Sequence, residues 1–216
     1  MPALTFVSSN PGKFREVREV LTAYGVDAHW ARRTLPEPQA DDLATVVRAK
    51  LDAVRGIRGW VLVEDSGLFI PALKGFPGVY SAHVLSLWGF DPILELLRHR
   101  DRRAFFRTVA GLRLGSDRWQ AVGEVHGTIA RRAAGTNGFG YDPIFIPKGW
   151  RRTFAEAPPE EKNLLSHRAR AVRQIGEWLQ DRDSRHSRHG RGRSHRRTGP
   201  ISLERLPPIP ADSARS

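Results

Sequence analysis

Glu64 and Asp65 stand side by side within an apolar run, with Val61-Leu62-Val63 before them and Leu68-Phe69-Ile70 after. Apolar flanks on both sides predict a buried strand. Carboxylates are seldom fully buried unless they are paired or bind a metal, so this pair must be compensated. Mg²⁺ is a candidate, because it takes hard oxygen ligands and usually shares them with substrate phosphates. The alternative is a strand end where one carboxylate caps a turn and the other meets water. Both readings stand on this stretch alone.

Three other clusters carry chemistry. Ser8-Ser9-Asn10-Pro11-Gly12-Lys13 follows a strand-like run and precedes a helical one. Free N–H groups at a helix start, with a lysine beside them, suit an anion such as phosphate. The stretch is not a Walker A loop: its first glycine is missing, and Phe14 stands where Ser or Thr would bind Mg²⁺. An ordinary turn with an Asn cap is the competing reading. In Gly138-Phe139-Gly140-Tyr141-Asp142, glycines space two aromatic rings that can stack on a flat base, followed by a carboxylate that can accept from a ring N–H. A glycine-rich hairpin with core aromatics would look the same. In Lys162-Asn163-Leu164-Leu165-Ser166-His167-Arg168, Ser166 can cap a helix whose first turn holds His167 and Arg168. Cations there oppose the helix dipole, which favours a nearby anion.

The elements that position these clusters alternate. Leu4–Val7 predicts a strand; Phe14, Val17, Val20 and Leu21 fall at helical spacing, and Gly25 stops that helix. A short strand follows over Asp27–Ala31. Glu37 lies between two prolines, and Asp41-Asp42 can cap a helix with the apolar stripe Leu43, Val46, Val47, Leu51 and Val54. Lys50 beside that stripe is expected to snorkel to the surface, with a phosphate contact as the alternative. Gly75–Ala82 is a constrained loop that can line a pocket, and Asp91-Pro92 predicts the cap and first residue of a helix. Ala104–Leu114 and Trp119–Ile129 predict a hairpin with His126 on its surface. Parallel βαβ parts plus this hairpin imply a mixed sheet.

The chain has 216 residues, no cysteine and a net charge of +12. Disulfides, thiolate catalysis and Cys-ligated metals are excluded. No apolar run reaches membrane-spanning length, and the N-terminus lacks a signal-peptide pattern, so a soluble cytoplasmic protein is expected. Beyond residue 180, nine arginines against four acids supply +5, leaving +7 for the rest. Such a balance fits nucleic acid or a polyanionic small ligand. The only lysines are Lys13, Lys50, Lys74, Lys148 and Lys162. In an arginine-rich chain, lysine is expected where a compact ammonium is wanted. Residues 1–180 are read as one domain, and 181–216 as a disordered Arg/His/Pro-rich tail, since Asp181–Gly199 has no apolar side chain to bury.

Taken in order, Ser8 to Lys13 with Glu16, Leu35-Pro36-Glu37, Glu64 to Leu68, Pro77 to Ala82, Gly138 to Pro143 and Lys162 to Arg168 resemble the motifs of the inosine triphosphate pyrophosphatase family. The resemblance spans residues 3 to about 180. It implies an α/β fold with an elongated mixed β-sheet, flanking helices and two lobes around a central cleft, usually as a homodimer. It implies Mg²⁺-assisted hydrolysis of dITP, ITP or XTP to the monophosphate and pyrophosphate. On the matching positions, Ser8, Ser9, Asn10, Pro11, Gly12 and Lys13 would hold the triphosphate. Glu37, Glu64 and Asp65 would hold Mg²⁺, with Asp65 also the catalytic carboxylate. Ser66, Lys162 and Arg168 would contact the nucleotide; Phe139, Gly140, Tyr141 and Asp142 would line the base and sugar pocket; His167 and Arg168 would face the base edge. Ser9, Glu64 and His83 depart from residues common in the family, and the tail has no counterpart. Two alternatives stay open: a Maf-like pyrophosphatase of other base preference, whose Arg-rich N-terminal motif is absent, and nonspecific nucleic-acid binding through the tail.

Overall fold

Strand β1 (Ala3–Val7) turns at Ser8-Ser9-Asn10 into helix α1 (Pro11–Thr22); the computed structural model describes residues 3–189. The helix begins there because Asn10 Oδ1 accepts from the N–H groups of Gly12 and Lys13 at 2.8 and 3.2 Å, and Pro11 needs no N–H partner in the first turn. Strand β2 (Asp27–Ala31) lies parallel to β1. Helix α2 (Leu43–Ala53) is capped by Asp42, which accepts from Thr45 N–H at 2.7 Å. Then come β3 (Trp60–Phe69), β4 (Pro77–Gly78), α3 (Ser81–Trp88) and α4 (Asp91–Leu96). The α4 cap is Phe90, so Asp91 and Pro92 each sit one position deeper than expected. The hairpin β5 (Arg103–Leu114) and β6 (Asp117–Ile129) leads to β7 (Phe145–Pro147), α5 (Pro159–Leu165) and α6 (His167–His189).

These strands form one mixed sheet in the order β2-β1-β3-β5-β6-β7, with β4 beside β3. The first three strands are parallel and the rest pair antiparallel, as the motif order implied. Long β3, β5 and β6 run the length of the sheet and join its two ends. At one end, α1 and α6 cover one face through Val17, Leu21, Val172 and Ile175, and α2 covers the other through Val47 and Leu51. The other end carries its own core around Ile93, Phe106, Phe145 and Phe154. No helix among the described residues is long and apolar enough to cross a membrane.

The expected tail boundary at residue 180 falls inside α6, which continues to His189. The physical reason is at Arg182, whose guanidinium lies 5.3–5.6 Å from the ring centroids of Trp60, Trp119 and Trp178. A cation over three indoles is attracted to each, so the helix has a packing partner without any apolar side chain at that point. The rest of the expected disordered tail lies outside the described residues.

Candidate active site

The site forms on the two faces of β3. Successive side chains of a strand point to opposite faces. Trp60 and Leu62 pack toward α1 and α6, while Val61 and Val63 pack toward α2. Glu64 and Asp65 continue this alternation, and both are buried. A strand covered on both sides reads as a continuous apolar run, which is why the sequence marks it so plainly.

On the α1/α6 face, Glu64 meets cations from two helices. Lys13 Nζ lies 2.6 Å from Oε1, and Arg168 Nε lies 3.5 Å from Oε2. Ser66 donates to Oε2 at 2.6 Å. Burial alone would raise the Glu64 carboxyl, but Arg168 and Lys13 outweigh it and hold it well below the usual carboxylate range. Arg168 also donates to Glu16, and Lys162 Nζ pairs with Glu16 at 2.7 Å and Asp142 at 2.6 Å. Asp142 Oδ2 accepts from Phe139 N–H at 2.8 Å, so the aromatic loop is tied to the same ionic array.

The opposite face is simpler. Lys50 Nζ lies 2.5 Å from Asp65 and 2.7 Å from Glu37. Lys50 is therefore a buried ion-pair centre, not the snorkelling surface lysine expected from its helix position. Burial raises the Asp65 carboxyl and prevails over Lys50 and Lys13, with adjacent Glu64 adding to the rise. A buried carboxylate raised in this way suits a general base.

Helix α6 reaches the site because β6 carries Gly123. A Cβ there would collide with the carbonyl of His167. His167 is buried and stacks on Phe106 at 4.5 Å with an interplanar angle of 9°. Burial, then Arg168 and Lys162, push its imidazole well below its ordinary value. So His167 is not one of two helix-start cations, contrary to expectation. Arg168 is one, and the anions facing it are the protein's own Glu16 and Glu64.

A pocket of about 430 Å³ opens beside this array. Among its lining residues are Asn10, Lys13, Ser66, Phe139, Gly140, Tyr141, Asp142, Lys162, His167 and Arg168, all expected from the motifs. Ser8, Ser9, Pro11 and Gly12 lie outside it. Ser8 Oγ accepts from Asn10 N–H at 3.1 Å, Ser9 is exposed, and Gly12 packs under Phe139, whose Cδ1 lies 2.7 Å from where a Cβ would stand. Lys162 Nζ and Arg168 Cζ lie 4.6 and 5.4 Å from the Phe139 ring centroid.

The carboxylates expected to bind metal do not form one cage. Among the described residues no three His, Asp or Glu side chains converge for an ion, because Glu64 and Asp65 point to opposite faces. Compensation comes from Lys13, Arg168 and Lys50 instead. The donors still fit Mg²⁺ that arrives with phosphates, since such an ion needs only one or two carboxylates. Glu37 and Asp65 already share one cationic centre, and Glu64 Oε1 faces Lys13 Nζ at 2.6 Å, so each of the three carboxylates is already aimed at a positive charge.

The Ham1 family model matches residues 4–178, nearly all of the described residues. The chain belongs to the Ham1 family. Curated relatives named dITP/XTP pyrophosphatase include that of Pyrococcus horikoshii, 45% identical over 81% of this chain and 95% of its own. That of Thermococcus kodakarensis is 46% identical over 82% and 97%. Among solved structures, a HAM1 protein from Coxiella burnetii superposes with a TM-score of 0.69 at 30% identity, over 84% of this chain and 100% of its own. A nucleoside-triphosphatase / dITP/XTP pyrophosphatase from Mycobacterium abscessus gives 0.61 at 34%, over 82% and 99%. This is the family that the motifs resemble.

In this Ham1 family chain, two residues do something that the sequence did not suggest: Glu16, named only as part of a motif, and Lys50, expected at the surface or on a phosphate. Glu16 joins Lys162 to Arg168, and Lys50 joins Glu37 to Asp65. The lysine scarcity was the available signal: of five lysines, Lys13, Lys50 and Lys162 all pair with carboxylates of the site.

Proposed function

We infer that this chain hydrolyses non-standard purine nucleoside triphosphates, dITP/ITP and XTP/dXTP, to the monophosphate and pyrophosphate. The names of the relatives support the substrate class. The observation within the chain that carries the chemistry is the division of β3: Asp65, raised by burial and steadied by Lys50, stands one residue from the cations grouped around Glu64.

In this reading the base enters the pocket against Phe139, and Lys13, Lys162 and Arg168 meet the negative charge of the nucleotide. Asp65 accepts a proton from the attacking water, and charge developing on the phosphoryl oxygens is met by the cations. Mg²⁺, held by Asp65 with Glu37 or Glu64, would supply further neutralisation of the phosphates. Donors at O6 would favour a keto purine over adenine, since a buried donor left unpaired costs about 1–3 kcal/mol. The substrates belong to the nucleotide pool, so we place the enzyme in the cytoplasm; the family resemblance is the ground on which we take it as a homodimer.

The test is pyrophosphate release from dITP, XTP, dGTP and dATP, with and without Mg²⁺. Metal-dependent turnover of dITP and XTP alone is expected. Equal turnover of dGTP or dATP would discard the specificity and keep the chemistry. No turnover of any of the four would reject the assignment.

A further inference from the structure

Thr108 is fully buried on β5, directly opposite Ser66 in the antiparallel register with β3. Its Oγ1 lies 2.6 Å from Ser66 Oγ. Ser66 Oγ in turn lies 2.6 Å from Glu64 Oε2 and accepts from Arg168 Nη2 at 3.2 Å. The Ser66 hydroxyl thus touches three groups and owns one proton.

A hydroxyl has one donor and two acceptor sites. Ser66 can give its proton to Thr108 or to Glu64. An ionised carboxylate is the stronger acceptor, and 2.6 Å is the spacing of an O–H···O⁻ bond. So Ser66 donates to Glu64. Thr108 must then donate to Ser66, and the two Ser66 lone pairs receive Thr108 and Arg168. Every hydrogen-bonding position of Ser66 is filled, and each bond has one direction.

We infer that Thr108 is a positioning residue that sets the proton order Thr108 to Ser66 to Glu64, and thereby fixes the Arg168 guanidinium at the pocket wall. Thr108 does not line the pocket, whereas Ser66 and Arg168 do. Without the Thr108 donor, one Ser66 lone pair goes unfilled and the hydroxyl is held by Glu64 alone, so the acceptor that faces Arg168 is less tightly fixed. The effect therefore falls on nucleotide binding more than on the reacting phosphoryl group. The inference rests on the proposed pyrophosphatase activity for its kinetic readout.

The experiment compares Thr108→Val with Thr108→Ser in the full chain, using dITP hydrolysis and calorimetric binding of inosine monophosphate. Thr108→Val keeps the volume and removes the hydroxyl. It should raise KM about three- to tenfold, the worth of one neutral hydrogen bond, with kcat nearly unchanged and the thermal midpoint close to wild type. The Kd for inosine monophosphate should rise by the same factor, and Thr108→Ser should restore both. An unchanged KM in Thr108→Val, or a serine variant as impaired as the valine one, overturns the inference while wild-type turnover keeps the activity. A wild-type chain inert toward every purine triphosphate overturns the activity first; the Kd comparison then decides Thr108 alone, and no binding by wild type rejects both. Should Thr108→Val fail to fold, Ser66→Ala must raise KM at least as much, and a normal KM there overturns the inference.

Discussion

The two faces of β3 each hold one carboxylate, and the two are driven in opposite directions. Glu64 is buried among Lys13, Arg168 and Ser66, and its cations hold it ionised. Asp65, one residue later, has Lys50 as its close cation and is raised by burial. A pair of titratable groups pushed apart by environment is a common way to assign an acid–base role and an electrostatic one. Of the β3 residues, Ser66 and Gly67 line the pocket, and its charged lining residues Lys13, Asp142, Lys162 and Arg168 belong to the ionic array on the Glu64 side. In the proposed reading, the cations that bind the nucleotide and the base that serves its phosphate stand on neighbouring residues of one strand.

The largest expected effect breaks the Asp65 side. Asp65→Asn keeps the shape and removes the base, so kcat should fall about 10²–10⁴-fold, the range that a positioned base contributes. The thermal midpoint should fall less than in a variant that strips Glu64, because burial already opposes the ionised Asp65 and Lys50 keeps Glu37 as a partner. Pyrophosphate release and thermal melting measure the two. A rate near wild type would remove Asp65 from catalysis.

Glu64→Gln tests the other side and should act on stability. Removing one partner from a buried ionic cluster typically costs about 3–5 kcal/mol, because Lys13 and Arg168 lose their counter-charge. The pH dependence gives the sign. Glu64 is depressed in the fold, so its stabilisation is full above the unfolded value of about 4.3 and is lost as pH falls through the folded one. Asp65 runs the other way: its folded value is raised, so it costs stability as pH rises through the window between the two states. Denaturant melts of Glu64→Gln at neutral and acid pH should show a large loss at neutral pH that shrinks in acid. A loss independent of pH would mean that packing, not charge, holds that face.

Much of this was legible in the sequence, for local reasons. The strand–turn–helix at Ser8 to Lys13, the central strand and the hairpin each announce themselves through apolar spacing and turn residues. The motif order led to the correct family. What was not legible depends on partners distant in the chain. Lys50 sits beside an apolar stripe and looks like a surface residue until β3 delivers Asp65 against it. Glu16 belongs to a motif but has no visible partner until α6 returns with Arg168. The alternation of β3, by contrast, was available. A period of two sends Glu64 and Asp65 to opposite faces, and this by itself weakens the idea of one shared metal cage. The continuation of α6 past residue 180 depends on Arg182 meeting three tryptophans from separate elements.

Lys50→Met should displace the pH profile with less effect at the optimum. Lys50 lowers the Asp65 carboxyl against the rise caused by burial. Without the ammonium the carboxyl rises further, and a base is active only when deprotonated. The acid limb of kcat/KM, which reports the free enzyme, should therefore move to higher pH. An acid limb at its wild-type position would mean that another group titrates there and that Asp65 is not the base.

Phe139→Ala should give the smallest effect on turnover, and it sharpens the comparison from the binding side. Phe139 lies between Gly12 and the Lys162 and Arg168 cations, on the Glu64 face. Nothing places it near Asp65. If its ring stacks on the base, truncation removes an interaction made equally in the ground and transition states, which raises KM and leaves kcat nearly intact. Base–aromatic stacking is worth about 1–3 kcal/mol, so KM should rise by about fivefold or more in steady-state assays with dITP. A fall in kcat of equal size would mean that the Phe139 loop helps position the reacting phosphate, and that the two faces of β3 are coupled rather than separate.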